Sequence, residues 1–157
     1  MRGLPFLLGA LGLVVAGGML RAPADAAPQP DGAASYKRCA ACHLPTGAGV
    51  PGAFPPLGGN VRALSQSAEG RRYLATVVIK GVSGPLTVEG KTYRGVMPAQ
   101  GDLDDAAVAA LLDHVVVKVA KGKARPFTAA EIATARKSAA SLNASAVGKL
   151  RATAGLQ

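Results

Sequence analysis

No tryptophan occurs among the 157 residues, and only three phenylalanines and three tyrosines are present. Aromatic burial is therefore scarce, and a small domain with so few large side chains needs another source of core, such as a bound cofactor. Histidine and cysteine are equally sparse. Cys39, Cys42, His43 and His114 are the whole supply, which makes a poor four-ligand zinc site because Cys42 and His43 are adjacent. Also missing are a nucleophile-base-acid constellation, a glycine-rich phosphate motif attached to a strand, a carboxylate pair with an evident catalytic role, and any internal repeat. Those absences weigh against an enzyme.

The length fits one domain of roughly 100–150 residues together with an export segment and a tail. Residues 1–26 read as a secretory signal peptide: a positive charge at Arg2, an apolar run over 4–20, and the small residues Ala24 and Ala26 of an A-x-A site cut after Ala26. Export implies the periplasm, and no cysteine follows the run to carry a lipid. The alternative is an uncleaved membrane anchor, because 17 apolar positions sit at the lower edge of the roughly 17–25 that span a bilayer; the four glycines in the run count against it. Membrane contact is expected only if this segment is retained.

Acidic residues are half as frequent as basic ones, 9 against 18, for a net charge of +9. Losing Arg2, Arg21 and Asp25 with the signal leaves 16 basic and 8 acidic residues, or +8. The charge is spread over Lys37-Arg38, Arg71-Arg72 and the stretch 118–125 without interleaved aromatics. That pattern suits a docking surface for an acidic protein or an anionic membrane better than nucleic acid.

The expected organisation is a core domain over 27–120 followed by an Ala-, Ser- and Lys-rich tail over 121–157. Helices are expected over 32–42, 67–80 and 103–119. The second has Tyr73, Leu74, Val77 and Val78 at helical spacing with Gly81 as its stop, and the third has acidic residues in its first turn. Residues 44–60 are so rich in Gly and Pro that irregular backbone wrapping something is expected there, with no helix. Residues 86–93 alternate around Glu89-Gly90 as a short hairpin would. In the tail, Thr128-Ala129-Ala130-Glu131 matches a capping box opening a helix over 129–141, while 143–157 reads as mobile.

The most specific signal is Cys39-Ala40-Ala41-Cys42-His43, the C-x-x-C-H attachment motif of c-type haem. Two thiols at this spacing reach the two vinyl groups of one porphyrin, and His43 is held below the iron as proximal ligand. A structural disulfide is one alternative. A thioredoxin-like C-x-x-C is another, although the chain lacks its βαβ context.

The sixth position follows by elimination. Met1 and Met19 leave with the signal, so Met97 is the only thioether of the mature chain, in the segment Tyr93-Arg94-Gly95-Val96-Met97-Pro98. Met/His ligation is an established electron-transfer arrangement. The rival ligand is His114, mid-helix near Ala110 and Leu111, where helix packing is its other role. With His43 and Met97 both bound, the iron has no open position, which favours electron transfer over ligand activation.

In the order of these motifs the chain resembles the class I cytochromes c over 32–119, and more loosely to residue 136. The match extends to the small cytochromes that serve as subunits or partners of periplasmic dehydrogenases and oxidases. The resemblance implies an all-α fold of three to four helices wrapped around one covalent haem c. It also implies that Pro55-Pro56-Leu57 is the P-x-L segment, with the Pro55 carbonyl, or that of Pro56, accepting the His43 Nδ1 bond. Tyr93, Arg94 and Asn60 become candidates to contact the haem or its propionates. Where the family places an aromatic residue at the crossing of first and last helices, this chain has His114, a smaller ring able to pack on Gly32 or Tyr36. The implied function is single-electron transfer between redox partners. The alternatives are a haem-bearing subunit of a larger dehydrogenase complex, or a haem enzyme or gas sensor with an exchangeable sixth ligand.

Overall fold

In a computed structural model, residues 30–153 are described, with side chains through Arg151. The signal peptide expected over 1–26, with Met1 and Met19, lies outside the described residues.

Helix α1, Gly32–His43, starts where the Asp31 carboxylate accepts from the backbone amides of Ala33 and Ala34 at 2.8 and 3.2 Å, satisfying two of the orphan donors of a first turn. It ends abruptly, because Leu44 takes a φ of 63° with ψ 158°, a conformation rarely adopted by a residue with a side chain. The Tyr36 hydroxyl donates to the Leu44 carbonyl at 2.8 Å and holds this turn, so His43 stands fixed at the helix terminus. After the loop comes α2, Gly59–Leu64. This corrects the expectation of no helix through residue 60. Val61 and Leu64 are buried, and that burial holds a short turn which the Gly-Gly start disfavours on propensity alone.

Helix α3, Ala68–Lys80, is capped by Ser67 and buries Tyr73, Leu74, Val78 and Ile79. The chain then forms β1 (Val82–Ser83), β2 (Leu86–Val88), β3 (Lys91–Tyr93) and β4 (Val96–Met97). Strands β2 and β3 pair antiparallel around Glu89-Gly90, with Leu86 opposite Tyr93. Strand β1 pairs with β4, which was not legible in the sequence, and it sets Val82 opposite Met97. The architecture is thus helical with two small ladders rather than purely α.

Helix α4, Asp105–His114, is capped by Asp104 and passes into a π-helical turn, Val115–Val119, instead of continuing regularly to 119. It crosses α1 closely: a Cβ on Gly32 would stand 2.1 Å from the Ala110 carbonyl oxygen and 3.0 Å from the His114 Cβ. Only a glycine permits that approach.

The tail is more ordered than expected. Helix α5, Ala129–Ser138, has the Thr128 cap and packs on α3 and α4. The segment expected to be mobile forms α6, Ala144–Thr153, which packs on α3 and β1 with Val147 fully buried. Its periodicity is weak in sequence, but α3 and β1 offer an apolar face for it to cover.

The basic pair Arg71-Arg72, read as part of a docking surface, needs a correction at Arg71. That residue is 2% exposed, pairs with Glu131 at 2.7 Å, and lies 3.7 Å over the Phe127 ring. It joins α3 to the tail and is unavailable to a partner. Among the described residues, no helix is long and apolar enough to cross a membrane.

Candidate haem site

Helix α1 places Cys39 and Cys42 one turn apart, three residues being nearly one helical turn, so both face the same cavity. Both are free, half-buried thiols. Burial pushes the Cys39 thiol up, with nearby Arg38 partly offsetting it.

His43 closes the helix and is 8% exposed. Its Nδ1 lies 2.9 Å from the Pro55 carbonyl oxygen. A carbonyl only accepts, so Nδ1 carries the proton; in the neutral ring this leaves the Nε2 lone pair free, the tautomer a metal-ligating imidazole needs. Burial holds the ring below the ordinary histidine range, and the bond to Pro55 partly counters that. The partner is Pro55 rather than Pro56, which decides between the two carbonyls.

The cavity is a slot between these elements, part of it open to solvent. Its wall is predominantly apolar. Met97, Leu57 and Tyr93 line it, as do Asn60 and Pro56. Tyr93 is 4% exposed, whereas Arg94 is exposed and is not part of the wall. Among the described residues, no Asp or Glu lines it. Two thiols, an imidazole, one thioether and an apolar slot together suit a large, flat, apolar group attached through sulfur.

His114 is not in this cavity. Its ring stands against Tyr36, centroids 5.4 Å apart and tilted by 41°, at the crossing of α1 and α4. His114 thus takes the aromatic packing position at that crossing. Among the described residues, no three His, Cys, Asp or Glu side chains converge on one point.

Several wall residues carry no local signal in the sequence, Val82 and Arg151 among them. Val82 was not singled out, because its role depends on pairing with β4. Arg151 reaches the wall from α6, in a segment with no local signal for a site.

The Cytochrome c family model matches residues 30–116. Cytochrome c-552 of Thermus thermophilus is 43% identical over 109 residues, covering 66% of this chain and 82% of the relative. A second cytochrome c-552, from a named strain of the same species, is also 43% identical over 109 residues, covering 66% of this chain and 73% of the relative. Haem-based electron transfer is the activity this family carries, and the Cys39–Cys42 pair fits its attachment motif for one covalent haem c. With cavity, motif and homology in agreement, this chain belongs to the cytochrome c family as a monohaem, class I member.

Proposed function

We propose that the protein is a periplasmic carrier of single electrons, with His43 as the proximal and Met97 as the distal ligand of its haem iron. The observation that carries this reading is the 2.9 Å contact from His43 Nδ1 to the Pro55 carbonyl, in a cavity that Met97 also lines. When bound, haem c supplies a one-electron couple at its iron. Cys39 and Cys42 would hold it covalently, His43 would present Nε2 to its iron, and β1 pairs with the strand that carries Met97, with Val82 opposite it. Pro55 orients the imidazole, while Leu57 and Tyr93 add apolar wall to the slot. Ligation by both His43 and Met97 would favour electron exchange over ligand activation.

Export rests on the apolar, A-x-A-terminated segment 1–26. The partners are redox proteins with an acidic docking surface. The net charge of +8 left after residues 1–26 and the exposed Lys37, Lys118, Lys121 and Lys123 support this. Val96, 68% exposed and part of the cavity wall, adds an apolar contact beside Met97.

The test is an optical spectrum, oxidised and reduced, with a pyridine haemochrome, on protein exported by a strain that matures c-type haem. A two-thioether haemochrome and a sulfur-to-iron band near the red end of the oxidised spectrum are expected, the band vanishing in Met97→Leu. Persistence of that band in Met97→Leu removes Met97 as ligand. Rapid carbon monoxide binding by the reduced native protein would instead favour an enzyme or sensor.

A further inference from the structure

Arg151 carries a guanidinium from α6 into the wall of the haem cavity and is 8% exposed. Its Nε donates to the Thr87 carbonyl at 3.0 Å and its Nη2 to Asn60 Oδ1 at 2.6 Å. Tyr73, itself buried, stands close enough for the guanidinium to act on its hydroxyl. All three neighbours are neutral. Among the described residues no carboxylate lies within ion-pair distance of Arg151, and the cavity wall has no Asp or Glu. The other arginine of the wall, Arg38, is neutralised by Asp102 at 2.8 Å.

A buried cation with only neutral partners is costly, and such a site is completed by an anion. Haem c is an apolar macrocycle with two carboxylates on its edge. We propose that Arg151 is the counter-ion of one haem carboxylate, so that α6, which lies beyond the family-matched residues 30–116, closes the carboxylate side of the cavity and raises the midpoint potential. This rests on the haem reading. The physical cause is the field at the iron. A carboxylate left uncompensated favours the oxidised, more positive iron, whereas a fixed guanidinium beside it restores the reduced form.

The experiment uses holoprotein of the wild type, Arg151→Gln, Arg151→Met, Arg151→Lys and Val147→Ala, with covalent haem assayed first. Absence of covalent haem from the wild type would sink the haem reading itself. With haem attached, both neutral variants should shift the equilibrium with a fixed mediator toward oxidised protein on the order of tenfold, equivalent to about 59 mV for one electron. Arg151→Lys should keep most of the wild-type potential. Val147→Ala trims a fully buried side chain of the same helix; it should speed amide exchange in α6 and leave the potential in place. A wild-type potential in the neutral variants, or an equal fall in Arg151→Lys or Val147→Ala, overturns the assignment.

Discussion

Val82 and Met97 face each other across the antiparallel ladder of β1 and β4. Directly before Val82, Gly81 ends α3 at a φ of +70°, and a Cβ there would stand 2.4 Å from the Met97 carbonyl oxygen. Gly81→Ala is therefore expected to push β4 away and to destabilise the holoprotein by about 1–3 kcal/mol. Thermal unfolding should show the loss, and the sulfur-to-iron band should weaken with it. An unchanged melting temperature with a full-strength band would show that the ladder does not restrain Met97.

The two thiols act together. Cys39→Ala and Cys42→Ala are each expected to block stable accumulation of covalent holoprotein, as read by haemochrome and by mass. Normal covalent haem in both variants would contradict the attachment assignment.

At the tail, Glu131 receives Arg71 Nε at 2.7 Å and Arg125 Nη1 at 3.2 Å. The hydrogen bonds from Arg71 hold its carboxyl below the ordinary glutamate value of 4.5, despite an opposing contribution from burial. A carboxyl depressed by folding contributes stability that is fully present above its unfolded pKa and is lost as pH falls through the lower folded value. The docking of α5 should therefore weaken on acidification below about pH 4.5, and hydrogen exchange across α5 as a function of pH reads this directly. In Glu131→Gln that pH dependence should disappear at a cost of about 2–3 kcal/mol at neutral pH, because Arg71 stays buried without its anion. Exchange in α5 that is equally pH-dependent in Glu131→Gln would locate the acid sensitivity elsewhere.

The crossing of α1 and α4 depends on Gly32 lacking a side chain. Gly32→Val should separate the helices at Ala110, lowering stability by about 1–3 kcal/mol, the usual range for overpacking. It should also disturb the Tyr36–His114 ring contact. Wild-type stability in this variant would mean that the helices shift apart without loss.

Electron transfer to an acidic partner should slow as salt rises, since exposed lysines separated from their partner by more than a Debye length are screened. Stopped-flow rates against ionic strength test this. A flat profile would remove the basic surface from docking.

The covalent chemistry and most helices were legible in the sequence because each rests on short spacing. Cys39, Cys42 and His43 share one turn of backbone. Ser67, Asp104 and Thr128 cap the helices they precede, and Leu74 and Val78 stand one turn apart. Composition also exposed a core short of aromatics, with room for a cofactor. Other features needed the folded chain. Arg71 reads locally as a surface charge, yet it meets Glu131 across 60 positions; Arg151 reads as part of a loose tail, yet it reaches Asn60 across 91. Met97 was singled out by elimination, but its pairing with Val82 follows from how α3 and β4 pack. Helical period and capping act within a few residues and so determine which side chains share a face. Which faces then meet, and which charges lose water, depends on the packing of the whole chain around one cavity, and tertiary structure alone decided that.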